Sequence, residues 1–290
     1  MSTIELKDVS FSYNKNTQKP VKALDHVSLT IDGGITGLIG HTGSGKSTLV
    51  QLLNGLLKPD EGEVLLDGVN IWAEPKKIRE VRFKAGLVMQ YPEYQLFAET
   101  VREDIAFGPK NMGIEGDELT ACVKEAAVFA GLPAAVLDKS PFELSGGQKR
   151  RVALAGVLAM KPKILILDEP AAGLDPAGRR DILGGIKRFA GESGTTVVIV
   201  SHSMEDMAMY CEKLIVMANG RILMHEPCAR IFSEGEKLTA VGLDVPMITR
   251  TAYALGERGI DIGRDVYTVD YAVEKLLQYR TAQDGCDKVK

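Results

Sequence analysis

Long apolar segments and an excess of charge of one sign are both missing from this chain of 290 residues. No stretch approaches the roughly 18 uninterrupted apolar residues that a membrane-spanning helix requires. The formal net charge of −4 gives no general attraction to nucleic acid or anionic lipid. Hydrophobic residues nevertheless make up 45% of the chain, enough to fill the core of one or two domains. We therefore expect a soluble globular protein. If it serves transport, other proteins must supply the path across the membrane.

Cysteine is scarce, and its spacing is not that of a metal site or a disulfide framework. The chain has four cysteines without C-x-x-C spacing: Cys122, Cys211, Cys228 and Cys286. We interpret them as free thiols of a reducing compartment. Charged residues fall within the first eight positions, too early for a secretory signal peptide, so the expected location is the cytoplasm. The basic run Lys149–Arg151 is interpreted as a solvated helix face, with a nucleic-acid contact as the less favoured alternative.

A glycine-rich loop lies between a predicted strand at residues 35–39 and a predicted helix. The helix is indicated by a leucine stripe at helical spacing: Leu49, Leu52, Leu53 and Leu56. The loop matches the phosphate-binding pattern G-x-x-x-x-G-K-[ST]: Gly40, His41, Thr42, Gly43, Ser44, Gly45, Lys46 and Ser47, followed by Thr48. We expect the loop N–H groups to cradle phosphates, Lys46 to reach the β- and γ-phosphates, and the Ser47 hydroxyl to bind Mg²⁺. A chance glycine turn is the alternative.

Two acidic residues follow a run of four aliphatic residues. Ile164–Leu167 shows no alternation, which predicts a strand buried on both faces of a parallel sheet. Asp168 and Glu169 then fall at its carboxyl end, where open α/β sheets place their ligand chemistry.

A Ser-Gly-Gly turn stands at the start of another predicted helix. Ser145, Gly146, Gly147 and Gln148 follow Leu144 in the order LSGGQ. Such a turn offers free backbone N–H groups, a hydroxyl and the positive end of a helix dipole, which predicts phosphate binding. The alternative is an ordinary helix N-cap, in which Ser145 caps Gln148.

These segments together resemble the ATP-binding cassette (ABC) ATPases, in which LSGGQ is the signature motif and Ile164–Glu169 corresponds to the Walker B strand. The resemblance covers about residues 2–235 and implies ATP and Mg²⁺ as ligands. It implies that Asp168 holds the Mg²⁺, that Glu169 polarises the attacking water, and that Ser145 of one cassette faces the nucleotide of another. The fold implied is α/β: a P-loop NTPase cassette with a RecA-like core and an N-terminal antiparallel β layer.

The family resemblance assigns roles to four further residues. Gln90 resembles the Q-loop glutamine that senses Mg²⁺ and the attacking water. His202, after the predicted strand Thr196–Val200, resembles the switch histidine that contacts the γ-phosphate, although a capping or surface role is the default for a lone histidine. Asp175 resembles the D-loop aspartate that communicates between two sites. Tyr13 resembles the aromatic residue that stacks on adenine, and a buried strand tyrosine is the alternative.

The segment after Gln90 narrows the resemblance to one kind of ABC ATPase. Residues 90–97, 100–101 and 104–111 closely resemble the ATP-binding subunits of energy-coupling factor (ECF) transporters, which import vitamins and transition-metal ions in prokaryotes. Residues 40–42, 168–170 and 172–176 point to the second of that system's two paralogous ATPases, while Ala171 departs from the threonine expected there. An apolar and aromatic cluster follows Gln90: Tyr91, Tyr94, Leu96 and Phe97. We expect it to form a groove for the coupling helices of a transmembrane subunit, or alternatively to pack the core of its own helical subdomain.

The expected organisation is a cassette over residues 1–235, with a helical subdomain at about 92–160, and a helical extension over 236–290. The family resemblance favours dimerisation as the role of this extension, and folding back on its own cassette is the alternative. The ECF resemblance implies three kinds of partner: a second paralogous ATPase, a transmembrane coupling subunit and interchangeable membrane substrate-binding subunits. It places the chain peripherally on the cytoplasmic face of the membrane, without a nucleic-acid partner. A homodimeric ATPase of a dedicated cobalt or nickel importer is the first alternative. A soluble non-transport cassette protein acting on DNA or ribosomes is the second.

Overall fold

A computed structural model describes residues 2–287, with side chains described for residues 2–281. The strands in this range are β1 (Thr3–Tyr13), β2 (Val21–Asp32), β3 (Ile35–Gly40), β4 (Glu61–Leu66), β5 (Val69–Asn70), β6 (Ala85–Val88), β7 (Ile164–Asp168), β8 (Thr196–Val200), β9 (Lys213–Ala218) and β10 (Arg221–Pro227). The α-helices are α1 (Lys46–Leu53), α2 (Ile78–Lys84), α3 (Val101–Asn111), α4 (Gly116–Phe129), α5 (Gly146–Leu158), α6 (Pro176–Ser193), α7 (Met204–Tyr210), α8 (Cys228–Ser233), α9 (Gly235–Ala240), α10 (Met247–Glu257) and α11 (Val269–Asp287). The strands form two sheets, which position the predicted site residues and contribute to the hydrophobic core.

The first sheet is antiparallel, with strand order β2-β1-β4-β5. The alternating apolar residues of β1 and β2 face the core, as their spacing predicts. A β-bulge lies around Lys7 and Asp8, where the pairing of β1 with β2 shifts register between Leu6 and Val9. Asp8 takes a left-handed φ of 50° at the bulge. The predicted antiparallel layer is therefore confirmed.

The second sheet has strand order β10-β9-β3-β8-β7-β6, and all of its pairings except β10 with β9 are parallel. Strand β7 is buried on both faces, as its unbroken aliphatic run predicts. Ile164 and Ile166 pack into the core shared with the antiparallel sheet, while Leu165 and Leu167 pack into the core beneath the helices. The parallel pairing brings the carboxyl ends of β3, β8, β7 and β6 to one edge of the sheet.

Helices α3, α4 and α5 pack against one another beside the parallel sheet. A capping box at Thr100 and Glu103 begins α3. The leucine stripe of the phosphate-loop helix is shorter than predicted: α1 ends at Leu53, and Leu56 lies in the following turn with a largely exposed side chain. Gly55, with a φ of +71°, terminates this helix.

The interpretation of Lys149–Arg151 as a solvated helix face is wrong at Arg150. Its side chain is buried, and its guanidinium bonds to a carboxylate and a backbone carbonyl. A charge can be buried when its donors are satisfied in this way. The neighbouring Arg151 is partly buried and is paired with Asp181.

The C-terminal segment is helical and packs on the rest of the chain. Helices α10 and α11 and the loop between them share a small core that includes Ala252, Val266 and Ala272. The ring of Tyr267 stacks on Phe232 of α8, with ring centroids 5.8 Å apart. Within residues 2–287, none of the helices combines the length and the apolar content that crossing a bilayer demands. Residues 288–290, the end of the predicted extension, lie outside the described residues.

The bulge generates a stability prediction at Gly62. Gly62 and Gly68 have nearly equal φ values of +79° and +78°, but a Cβ on Gly62 would lie 2.3 Å from the carbonyl oxygens of Lys7 and Asp8. A Cβ on Gly68 would meet nothing within 4 Å. We expect Gly68→Ala to lower the free energy of unfolding by about 1–2 kcal/mol, the strain of a left-handed alanine. Gly62→Ala should lower it by about 3 kcal/mol or more, because the clash adds to that strain.

The measurement is urea denaturation of both variants, followed by circular dichroism. Equal losses at the two positions would contradict the steric argument, since the two variants share the same backbone strain.

Candidate functional site

The predicted site residues converge on the carboxyl edge of the parallel sheet. Gly40 ends β3, Asp168 ends β7, and Gln90 and His202 lie two residues beyond β6 and β8. Since these four strands are neighbours in the sheet, the side chains that follow them line one edge.

The phosphate-binding loop connects β3 to α1 and requires glycine at two crowded positions. A Cβ on Gly40 would lie 2.5 Å from the carbonyl oxygen of Met217, and one on Gly45 would lie 2.6 Å from that of Ala23. Gly45 also has a left-handed φ of +106°. Gly43, at φ +81°, is different, because a Cβ there would meet nothing within 4 Å. The loop is thus packed tightly against the rest of the protein at Gly40 and Gly45 and is open at Gly43.

Lys46 begins α1 and is buried under this loop. Its Nζ donates to the carbonyl oxygens of Gly40, at 2.6 Å, and His41, at 3.1 Å. Burial lowers the pKa of Lys46, while the nearby Glu169 and Asp168 oppose that shift. The ammonium is therefore held against the loop, where an anion bound by the loop would contact it. The Ser44 hydroxyl is buried without a hydrogen-bond partner, as expected of a group that completes its bonding with a ligand.

Tyr13 stands at the end of β1 beside the phosphate-loop helix. Its hydroxyl lies 3.2 Å from Oγ1 of Thr48, and its ring meets Phe11 edge-on at 4.9 Å. The ring is partly exposed, so the alternative of a buried strand tyrosine is wrong. Ser47 is exposed at the start of α1, as a group that binds a ligand must be.

Glu169 is the most perturbed acid at this edge. Burial, followed by repulsion from Asp168, raises its pKa to about 7. Its backbone has a left-handed φ of 53°, and its N–H donates to the carbonyl of Val200 at 3.0 Å, which locks the turn onto β8. One carboxylate oxygen, Oε1, is buried without a hydrogen bond. Glu169 is therefore poised to accept a proton near neutral pH.

His202 faces Glu169 across the edge. Its Nε2 lies 3.6 Å from Oε1 of Glu169, beyond hydrogen-bond distance. Partial burial, helped by Lys46, lowers the pKa of His202, which favours the neutral form of the ring. A neutral imidazole keeps one N–H to donate. Burial also raises the pKa of Asp168, and Lys46 opposes that rise.

The LSGGQ turn starts α5 and is an N-cap as well as an exposed glycine turn. The Ser145 hydroxyl accepts from the N–H of Gln148 at 3.3 Å, and Oε1 of Gln148 accepts from the N–H of Ser145 at 3.1 Å. The first N–H groups of a helix have no partner within it. A Cβ on Gly146 would meet nothing within 4 Å, so the start of the helix is open beside this glycine. Capping and phosphate binding, which the sequence presents as alternatives, are therefore compatible.

Asp175 is the N-cap of α6. Its Oδ1 accepts from the N–H of Gly178 at 2.6 Å. A Cβ on Gly147 would lie 3.7 Å from the side chain of Leu174, so the turn before α6 and the LSGGQ helix are neighbours. This packing brings two of the predicted motifs together within one chain.

The aromatic cluster after Gln90 is exposed, with one exception. Tyr94 has 84% of its surface exposed, and Tyr91 and Phe97 are at least half exposed. Leu96 is only 9% exposed and belongs to the main core, so its inclusion in a partner groove is wrong. Alternate residues of an extended segment point to opposite sides, which buries Leu96 while Phe97 faces out. Phe107 of α3 extends the predicted cluster, because it is exposed and its ring meets Phe97 edge-on at 4.9 Å.

Comparison with known proteins identifies the family. The family model described as "ABC transporter" matches residues 24–172, and an AAA-domain model matches residues 139–207. The chain is 50% identical over 277 residues to the energy-coupling factor transporter ATP-binding protein EcfA2 of Clostridium acetobutylicum, covering 95% of this chain and 97% of that protein. It is 50% identical over 286 residues to the protein of the same name from Symbiobacterium thermophilum, covering 98% and 99%.

The chain belongs to the family of ECF transporter ATP-binding proteins. The second-paralogue prediction agrees with the name that these relatives carry. Among solved structures, cbiO1 from Clostridium perfringens, part of the ABC transporter complex cbiONQ, superposes with a TM-score of 0.73 at 37% identity, over 82% of this chain and 93% of that one. The dimeric bacterial ABC transporter cassette MJ0796 gives 0.71 at 30% identity, over 78% and 98%. The predicted ABC cassette fold is thereby confirmed.

This ECF ATPase binds and hydrolyses ATP, with Mg²⁺ as the associated ion. The residues present fit both ligands. The unpartnered Ser44 hydroxyl and the open side of Gly43 suit phosphate oxygens. Mg²⁺ in nucleotide sites is held by one or two carboxylates together with substrate phosphates, and Asp168 with Ser47 supplies such a donor set. When bound, Mg²⁺ neutralises phosphate charge.

Proposed function

We propose that this chain is the ATP-hydrolysing subunit that energises an ECF-type importer of vitamins or other micronutrients. The observation that carries the proposal is the exposed aromatic cluster directly after Gln90, which lies next to the carboxyl edge of the parallel sheet. The near full-length identity with named ECF transporter ATP-binding proteins supports it.

The residues at the sheet edge divide the work of phosphoryl transfer to water. This reaction needs positioning and charge neutralisation more than covalent chemistry. Lys46 neutralises the transferring phosphate, while Ser47, Gln90 and Asp168 hold the Mg²⁺. Glu169 accepts the proton of the attacking water, for which a pKa of about 7 is well matched. His202 donates a hydrogen bond to the γ-phosphate, and Tyr13 stacks on the adenine.

The remaining motifs act between subunits. Ser145 to Gln148 complete the ATP site of a second, paralogous ATPase, and Asp175 communicates between the two sites. The coupling helices of a transmembrane subunit bind Tyr91, Tyr94 and Phe97. The chain then lies on the cytoplasmic face of the membrane, with interchangeable substrate-binding subunits in the same complex. In this organisation residues 1–235 are the cassette, about 92–160 its helical subdomain, and 236–290 the dimerisation extension.

The role of Glu169 predicts the behaviour of Glu169→Gln. We expect this variant to bind ATP with unchanged affinity. Its turnover rate should fall about 10²–10⁴-fold, the usual contribution of a positioned general base. The measurements are an ATP-binding titration and steady-state ATPase rates of the assembled dimer. Glu192→Gln, an exposed glutamate at the end of α6, is the control and should behave as the wild type. Normal turnover by Glu169→Gln would remove Glu169 from the mechanism.

The proposed partners predict what co-purifies with this chain. Affinity purification from membranes of the native host, followed by mass spectrometry, should recover a second ATPase and a polytopic membrane protein. Recovery of this chain as the only ATPase would favour the homodimeric metal-importer alternative. Recovery of ribosomal proteins or DNA would contradict a transport function.

The aromatic cluster predicts an uncoupled phenotype. We expect Tyr94→Ala combined with Phe97→Ala to reduce transport into proteoliposomes at least about tenfold, because exposed aromatic anchors contribute strongly to interfaces. ATP hydrolysis by the isolated ATPase dimer should not change. Val128→Ala combined with Leu223→Ala, two exposed apolar residues on other surfaces, is the matched control. Unchanged transport in the Tyr94 and Phe97 double variant would rule out this surface as the docking site.

A further inference from the structure

Arg150 lies at the junction of three functional segments. It is on α5, two residues after Gln148, and only 6% of its surface is exposed. Its Nη2 donates to Oε1 of Glu93 at 3.0 Å, and its Nε donates to Oε2 of the same carboxylate at 3.3 Å. Its Nη1 donates to the carbonyl oxygen of Ala172. One guanidinium therefore contacts two segments that are far apart in the sequence.

The contact of Arg150 with Glu93 holds the turn next to the exposed aromatic cluster. Glu93 lies in the 3₁₀ turn Pro92–Gln95, between the exposed rings of Tyr91 and Tyr94. Its carboxylate is largely buried, and such a charge is strongly destabilising when its partner is removed. Tyr91, just before the turn, has a left-handed φ of 55°, which costs energy for a tyrosine. The position of this turn thus depends on the bidentate bond to Arg150.

The contact of Arg150 with Ala172 holds the turn that begins at Glu169. The N–H of Ala172 donates to the carbonyl of Glu169 at 3.2 Å, so Ala172 closes the turn that begins at Glu169 and leads towards Asp175. Arg150 binds the carbonyl of the same Ala172. The guanidinium of Arg150 is therefore connected to the backbone of Glu169 through Ala172.

We propose that Arg150 is a positioning residue that couples partner docking at Pro92–Gln95 to the backbone turn that carries Glu169. The proposal rests on the function proposed above. A guanidinium is planar and rigid, so its donors to Glu93 and Ala172 keep a fixed relation to one another. A movement of Glu93 must displace Arg150 or break a bond of a buried charge, and breaking such a bond is unfavourable. Movement of the docking turn is transmitted to Ala172 for that reason.

The test is Arg150→Lys, studied in the complete complex in proteoliposomes and in the ATPase dimer alone. Lysine keeps the charge, but its single ammonium cannot reproduce the fork that reaches both partners. We expect the kcat for ATP in the complex to fall about tenfold, the effect of losing one charge-assisted hydrogen bond. The KM for ATP should stay within about twofold, because Arg150 does not contact the nucleotide-binding loop. A purely structural defect would change the thermal unfolding temperature and both kinetic constants together.

Arg151→Lys is the matched control. Arg151 is the next residue on α5 and also bonds to one carboxylate and one carbonyl, those of Asp181 and Ala130, but it contacts neither turn. Its substitution should leave the kcat of the complex unchanged. Glu93→Gln is the second variant, and combining it with Arg150→Lys should add no further loss, because both changes break the same bond. If Arg150→Lys does not assemble, the kcat of Glu93→Gln decides, with a tenfold fall as support.

Four outcomes would overturn the proposal. They are a normal kcat in Arg150→Lys, a normal kcat in Glu93→Gln, additive losses in the double variant, and an equal loss in Arg151→Lys. A wild-type complex that hydrolyses ATP no faster than the dimer alone has a different meaning. It would refute the proposed transport function, and the coupling role of Arg150 with it.

Discussion

The structure depends on the parallel pairing of β3, β8, β7 and β6, which fixes four strand ends in one row. Asp168 pairs with Val200 in the ladder, and the N–H of Glu169 continues that ladder by donating to the Val200 carbonyl. Glu169 is thus held next to the end of β7 by a main-chain bond to β8. Because backbone pairing has a fixed spacing, the strand ends that precede Glu169 and His202 lie side by side. Side-chain chemistry then needs only the correct residue at the end of each strand.

Buried polar side chains in this part of the structure differ in how their hydrogen-bonding groups are satisfied. Arg150 has both of its partners within the chain, which suits a residue that keeps two segments in register. Glu169 and Ser44, in contrast, each retain a buried oxygen without a hydrogen bond. An unsatisfied buried oxygen is costly in the absence of ligand, so these atoms favour binding of a water or phosphate that completes their bonding. Lys46 is intermediate, because its two carbonyl acceptors hold it without neutralising it.

The sequence predicts the sheet and its edge well, because an unbroken aliphatic run such as Ile164–Leu167 is decisive for a strand buried on both faces. It predicts side-chain exposure less well. Arg150 follows the LSGGQ turn in a basic run that suggests a solvated face, and only the tertiary contact with Glu93 and Ala172 explains its burial. Leu96 is similar, because an apolar residue among exposed aromatic residues has no local signal that assigns it to the core. The helix predicted from the leucine stripe that ends at Leu56 is too long, because Gly55 ends the helix first. The glycine at this position in the sequence could have indicated the earlier end.

The exposed aromatic cluster and the buried ion pair beneath it have complementary physical roles. Exposed rings such as Tyr94 provide binding surface at a small entropic cost, but a ring that moves freely transmits nothing to the core. A buried, bidentate ion pair contributes little net stability, yet it resists displacement because separating its charges in a poorly hydrated site is expensive. Placing Glu93 between two exposed tyrosines joins these properties in one turn of chain. Arg150 connects this ion pair to the turn of Glu169, because its Nη1 donates to the carbonyl of Ala172, whose N–H donates to the carbonyl of Glu169.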